Sequence, residues 1–193
     1  MSVKNFKIEI CNRSDIKDFI ETWHYSKNIN GLTIKYCFKL LDTNNNLIGA
    51  MIYGDIAMAN VWKKYTTNRE DLIELKRLCC IDDTPKNTES YFIGYTLRWL
   101  KKNTKIKTVI SYADKTYGHE DIIYKASNFT KIGETGTGKV ITFEGKRYHD
   151  KTIRTKYNGS LKPFAKRIVE GLANGTAVYV NTLSKNIYIY KLK

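Results

Sequence analysis

The chain has 193 residues, enough for one sizeable hydrophobic core with a small appendage. With 42% hydrophobic and 12% aromatic residues it is too apolar for a disordered polymer, and it holds no apolar run of about 18 residues that would make a transmembrane helix. A formal charge of +14, from 33 Lys and Arg against 19 Asp and Glu, directs attention to anionic partners.

The excess is uneven. Lys131 to Lys193 carries 13 basic and 4 acidic residues, alongside a chain-wide supply of 14 Tyr and three Trp. A basic face interleaved with aromatics is the footprint of nucleic-acid binding, set against a merely solvated basic surface. The opening stretch MSVKNFKIEIC is charged and reads as no signal peptide, so the protein is expected to stay inside the cell that makes it. Cys11, Cys37, Cys79 and Cys80 form no C-x-x-C pair. Buried reduced thiols fit better than a disulfide or a zinc knuckle.

In chain order, Phe6 to Cys11 alternates as a strand. Ser14 reads as the N-cap of an amphipathic helix with Ile16, Phe19, Ile20 and Trp23 at i, i+3, i+4 and i+7. It ends at Trp23-His24-Tyr25. His24 is either a solvent-facing helix end or a wall of a substrate pocket. Thr33–Leu41 and Leu47–Tyr53, joined by Asp42 to Asn46, read as an antiparallel hairpin. A loop follows with Trp62 in it, then an apolar strand from Leu72 to Ile81 containing Arg77.

A helix is predicted from about Thr88 to Asn103, with Ser90 in its first turn, where free N–H groups and the dipole favour anions. Ile106 to Phe129, IKTVISYADKTYGHEDIIYKASNF, begins as a buried strand, passes Asp114, Tyr117 and His119, and turns into a short helix through Tyr124. Titratable groups at the carboxyl end of a strand make this the best site candidate.

Short strands are predicted at Phe129–Glu134, Val140–Phe143 and Lys146–Tyr148. The stretch GETGTGK lacks Walker spacing and reads as a hairpin turn. Ser160–Leu172 is a helix with Pro163 in its first turn. Ala177–Val180 and Ile187–Tyr190 are expected to form a β-hairpin. The order β-α-β-β-β-α-β-α-β predicts an α/β (α+β) fold, a mixed, mostly antiparallel sheet with helices on both faces. That order resembles the GNAT acyltransferase fold. The expected organisation is a core over 1–145 and a basic extension over 146–193, made of a helix and a β-hairpin.

Trp23-His24-Tyr25, Tyr53-Gly54, Glu74-Leu75-Lys76-Arg77-Leu78, Ser90 and SYADKTYGHEDIIYKASNF occur in order over roughly residues 20 to 130. On these pieces the chain resembles the Mom family of phage DNA-modification proteins, which are GNAT-like. The resemblance implies an enzyme that gives the exocyclic amine of adenine a carbamoylmethyl group, hiding restriction sites, in the cytoplasm of an infected bacterium. It implies activity-linked roles for Arg77, Ser90, Asp114 and Tyr124, and a pocket tyrosine at Tyr53.

On that reading Asp114 is the base that takes the amine's proton, and Tyr124 protonates the leaving group. The plainer alternatives are a turn-capping aspartate and a core tyrosine. Arg77, Ser90 and Tyr53 would hold the donor. Trp23, His24, Tyr25, Tyr117 and His119 would line the pocket for a flipped-out base. Lys146, Arg147, Lys151, Arg154, Lys156, Lys166 and Arg167 would grip DNA phosphates. After Arg77 the chain reads LCCIDDTPKNTESYFIG, without the glycines of a coenzyme-A turn. The acyl donor is expected to be either glycyl-tRNA or acetyl-CoA; the missing glycines and the product favour the aminoacyl donor, which would make tRNA a further partner. His24, His119 and His149 have no recognised ligand spacing for iron or another metal. The competing classes are an N-acyltransferase for a protein, aminoacyl-tRNA or small molecule, and a DNA-binding module without activity.

Overall fold

The computed structural model describes residues 2–58, 60–117 and 121–193, and of Tyr117 the backbone only. The element order is β1 (Lys7–Cys11), α1 (Arg13–Trp23), β2 (Ile34–Leu41), β3 (Leu47–Gly54), β4 (Leu72–Cys80), α2 (Thr88–Asn103), β5 (Thr108–Asp114), α3 (Ile122–Ala126) and β6 (Thr130–Glu134). There follow β7 (Gly138–Phe143), β8 (Lys146–His149), α4 (Pro163–Asn174), β9 (Ala177–Thr182) and β10 (Lys185–Lys191). None of the described helices is long and apolar enough to cross a membrane.

Seven strands form one sheet in the order β1-β2-β3-β4-β5-β10-β6, and three form a second in the order β8-β7-β9. β1 through β4 pair antiparallel, and β4 pairs parallel with β5. The expected mixed, mostly antiparallel sheet is present.

Alternation along β2 and β3 explains why helices cover both faces of the large sheet. Phe38, Leu40, Met51 and Tyr53 point to a cluster with Phe92, Ile93, Leu97 and Leu100 of α2. Cys37, Ala50 and Ile52 point the other way, to Ile16 and Ile20 of α1. A period of two in the strands and of 3.6 in the helices produces both layers.

Some local expectations shift. The N-cap of α1 is Asn12, not Ser14; the Asp15 carboxylate accepts the Asn12 backbone N–H at 2.9 Å, half of a capping box. Neither late hairpin forms. β9 pairs with β7, whereas β10 lies between β5 and β6 in the large sheet. Leu183 and Ser184 thus carry the chain from one sheet to the other. Residues 135–137, within GETGTGK, do the same between β6 and β7. The two crossings are hydrogen-bonded, Thr135 N to Lys185 O and Lys185 N to Thr135 Oγ1, both 2.9 Å.

Contacts divide the described residues into two compact units. The larger takes the chain up to Ala113, the stretch Asp121–Gly133 and Asn186–Lys193; the smaller takes Asp114–Tyr117 and Glu134–Lys185. The expected 145/146 boundary falls in the turn between β7 and β8, inside the smaller unit. In that unit Ile141, Ile168 and Ala177 are buried between the small sheet and α4.

Candidate active site

In the larger unit, the β3–β4 pairing slips where the site begins. Tyr53 is opposite Leu75 and Ile52 opposite Arg77, so Lys76 is an extra residue, the mark of a β-bulge. Lys76 is nearly buried and paired with Glu74 at 2.9 Å. Gly54 is required beside it. A Cβ there would collide with the backbone carbonyl of Thr33 and approach the Lys76 side chain at 2.9 Å.

Arg77 points to the α1 face. Its Nε donates to Asn28 O at 3.3 Å and a terminal nitrogen to Lys76 O at 2.7 Å. Burial lowers its pKa, since desolvation penalises the cation. α2, which carries Ser90, covers the other face, and Ser90 Oγ donates to Asn87 O at 3.1 Å. The structure does not bring Arg77 and Ser90 together on one face. Tyr53 is fully buried, with its hydroxyl 2.8 Å from Thr96 Oγ1. Burial raises its pKa, and the hydroxyl is spent inside the core rather than offered to a donor.

The end of α1 is an aromatic corner. Trp23 and Tyr25 are 48% and 37% exposed, enough to receive a base, while His24 is buried. His24 is therefore not the solvent-facing helix end. Its Nδ1 accepts the Ser26 N–H at 3.0 Å, which places the proton of the neutral ring on Nε2. Its ring lies 4.1 Å from that of Tyr25. The Tyr117 side chain and His119 lie outside the described residues.

Tyr124, on α3, is held on three sides. It stacks on Tyr188 at 4.6 Å and 9°, meets Phe129 edge-on at 5.7 Å, and sets its hydroxyl 2.9 Å from Ser111 Oγ. Ser111 Oγ donates its single proton to Leu75 O at 3.1 Å, so the Tyr124 proton points to Ser111. Burial raises the Tyr124 pKa against the opposing pull of Ser111, so the phenol keeps its proton at neutral pH.

Asp114 ends β5 in the smaller unit. Its Oδ1 accepts the Thr116 N–H at 3.1 Å and its Oδ2 meets Lys185 Nζ at 3.0 Å. Burial pushes its pKa up, but the Thr116 and Lys185 hydrogen bonds outweigh that and hold the carboxyl below its ordinary value. The capping role and an ionised carboxylate thus coexist. Next to it Lys115, Ser184 and Glu134 form a closed polar triangle, with Lys115 to Glu134 at 2.6 Å.

All seven predicted phosphate-gripping residues are exposed on the smaller unit. Arg154 is paired with Asp150 and Arg167 with Glu144. Among the described residues no three His, Cys, Asp or Glu side chains converge to hold a metal ion. The cysteines are free thiols, and burial pushes Cys11 and Cys79 up to about 12 and Cys37 up to about 11.

Asp121, Asn186 and Tyr188 were not expected at the site. Asn186 Nδ2 donates to Asp121 Oδ2, and Tyr188 supports Tyr124. Their one sequence signal is Asn186 in phase with Tyr188 and Tyr190 on a strand, a polar residue on a face that is otherwise aromatic.

The fold is that of N-acetyltransferases. It resembles a spermidine N-acetyltransferase of Vibrio cholerae (TM-score 0.55, 10% identity, 98% of this chain and 95% of that one). It also resembles a ribosomal-protein-S5-alanine acetyltransferase of Vibrio fischeri (TM-score 0.53, 10% identity, 100% and 96%). At such identity the likeness concerns the fold alone. The sequence goes further: the Mom protein family model matches residues 5–193, and the chain belongs to that family. A relative, the methylcarbamoylase Mom of Escherichia phage Mu, is 26% identical over 159 residues. The match spans 81% of this chain and 65% of that relative, slightly under two thirds of its length.

Proposed function

We propose that this protein is a DNA-modifying acyltransferase that places a carbamoylmethyl group on the exocyclic amine of adenine and so shields phage DNA from restriction nucleases in the host cytoplasm. The observation that carries this reading is the family match over nearly the whole chain.

The exocyclic amine is a poor nucleophile because its lone pair is delocalised into the ring, so a base must take its proton as it attacks. Asp114 is ionised at neutral pH and has about four acceptor positions, two of them taken by Thr116 and Lys185. A free position accepts the amine proton. Tyr124 supplies a proton to the leaving group of the donor. The half-buried Arg77, which donates to the backbone carbonyls of Asn28 and Lys76, offers its remaining N–H groups to the donor's phosphate.

The product fixes the donor's atoms. The modified base contains one nitrogen more than adenine, and an acetyl group brings none. A glycyl group brings one. The adenine amine attacks the glycyl carbonyl and the donor's oxygen leaves with a proton. The glycyl amine then attacks the ring carbon, and the bond from that carbon to the original amine breaks, leaving it as the amide. Glycyl-tRNA is the donor class this chemistry favours over acetyl-CoA.

The target base must leave the duplex to be reached. Trp23 and Tyr25 offer exposed aromatic faces for it. Lys146, Arg147, Lys151, Arg154, Lys156, Lys166 and Arg167 hold phosphates.

Mass spectrometry of nucleosides from plasmid DNA co-expressed with the protein tests the reading. A carbamoylmethyl deoxyadenosine that disappears with Tyr124→Phe and Asp114→Ala supports it. Unmodified deoxyadenosine beside soluble, folded protein overturns it.

A further inference from the structure

Residues 151–167 of the smaller unit hold six basic and no acidic side chains, and within this stretch the chain folds back on itself. Tyr157 and Ser160 exchange both backbone hydrogen bonds, Tyr157 N to Ser160 O at 2.7 Å and Ser160 N to Tyr157 O at 3.1 Å. Asn158 and Gly159 between them have φ of 49° and 79°. Two successive positive φ values mark a type I′ turn, the two-residue connection that matches the twist of a hairpin. The backbone of Tyr157 is thus fixed at the base of a minimal hairpin. That hairpin has no core of its own, since every residue from Arg154 to Ser160 is exposed.

Tyr157 is 53% exposed. Lys162 Nζ lies over one face of its ring, 4.1 Å from the centroid, which leaves the opposite face to solvent. Arg154 and Arg167 are tied to Asp150 and Glu144. The ion pairs of the described residues include none of Lys151, Lys156, Lys162 and Lys166. A single exposed tyrosine needs no explanation. Here the ring is set by a tight turn, has a cation on one face and stands among uncompensated positive charges. That combination suits a flat π-system attached to anions. An unpaired base on its phosphate backbone is such a ligand: the base stacks on the ring and the lysines meet the phosphates.

We infer that the Tyr157–Ser160 hairpin is a stacking platform for an unpaired nucleotide, with Tyr157 against the base and Lys156 and Lys162 on the flanking phosphates. The inference rests on the nucleic-acid part of the proposed function and adds to it a contact with a single strand. Taking a base out of a duplex unstacks it from its neighbours, so an enzyme that does this has open base faces to cover. Tyr157 is a binding residue in this account and touches no reacting atom.

The test titrates the full chain with two short labelled strands, an oligodeoxyadenylate and an abasic strand of equal length that has the sugars and phosphates without the bases. Tyr157→Ala is expected to bind the oligodeoxyadenylate about 5- to 100-fold more weakly, the range of one base–aromatic stack, and the abasic strand as wild type does. Its salt slope should stay unchanged, because stacking releases no counterions, and Tyr157→Phe should retain binding. Lys162→Gln should instead lower the slope, by about 0.7 for one phosphate of a single strand. Tyr179→Ala, which removes a ring 51% exposed on β9, should change neither. Thermal melts of each variant establish that it is folded. Equal weakening of both strands by Tyr157→Ala, or weakening of neither, overturns the inference. Anionic phosphatidylglycerol vesicles form a second arm. Vesicle binding that needs Tyr157, beside strand binding that does not, makes the hairpin a lipid contact and also overturns it. Nucleoside mass spectrometry separates this result from the function itself. Modified deoxyadenosine at normal yield, with strand binding independent of Tyr157, sinks the platform alone. Base-selective binding through Tyr157 without any modified deoxyadenosine sinks the adenine reading alone.

Discussion

The hydroxyl of Tyr124 lies 2.9 Å from Ser111 Oγ, and Ser111 in turn donates to the carbonyl of Leu75 on the neighbouring strand. The relay fixes the phenol's position and its proton's direction without providing a base strong enough to remove that proton. Tyr124→Phe keeps the stack on Tyr188 and the edge contact with Phe129. It should lower turnover by at least ~100-fold, the low end for a positioned acid, and cost only about 1 kcal/mol of stability. Parallel measurement of product formation and thermal melting checks this. Near-wild-type turnover would remove Tyr124 from the mechanism.

The Asp114–Lys185 pair gives a pH signature. The Asp114 pKa is held below 3.8, so the folded state is favoured by its ionised form above that value, and the contribution fades as pH falls through the lower folded pKa. Lys185 is 42% exposed on its side chain, so the pair contributes below about 1 kcal/mol. Lys185→Met should raise the Asp114 pKa with a small change in melting temperature at pH 7. Carboxyl titration by nuclear magnetic resonance reads the shift. An unchanged titration would mean that the Thr116 hydrogen bond alone holds the carboxylate.

Gly54 should tolerate no side chain. A Cβ meets the Thr33 carbonyl, a backbone atom that cannot rotate away, and the buried Lys76. Gly54→Ala is expected to cost about 1–3 kcal/mol as an overpacked site, measured by chemical denaturation. It should also disturb the bulge that aims Arg77. A stable Gly54→Ala protein would show that the β2 end yields easily.

DNA binding should weaken steeply with salt. Each phosphate contact contributes about 0.9 to the slope of log affinity against log salt. Lys151 and Lys156 are exposed, so Lys151→Gln with Lys156→Gln should reduce that slope by up to about 2. Fluorescence anisotropy at several salt concentrations gives the slope directly. An unchanged slope would place the DNA elsewhere than on this face.

Much of the fold was legible in the sequence because its large sheet is buried on both faces. The alternation of Cys37, Phe38, Ala50, Met51, Ile52 and Tyr53 assigns residues to the α1 or α2 layer. What alternation does not carry is partner choice. Ala177–Val180 and Ile187–Tyr190 are each strands, yet they join different sheets, because a two-residue link suits a sheet crossing as well as a turn. The site was half legible for the same reason. Asp114 and Tyr124 sit within one motif, but the bulge that turns Arg77 to the α1 face depends on its pairing with Ile52. The meeting of Asp121 with Asn186 spans 65 residues and has no local signal.

The central claim is that the added group brings its own nitrogen. Purified protein is incubated with DNA and either tRNA charged with heavy-nitrogen glycine or acetyl-CoA, and the deoxyadenosine is analysed by mass spectrometry. The account predicts a carbamoylmethyl deoxyadenosine containing one heavy nitrogen from the charged tRNA, and none from acetyl-CoA. A product formed from acetyl-CoA alone, or one without the heavy nitrogen, would contradict it.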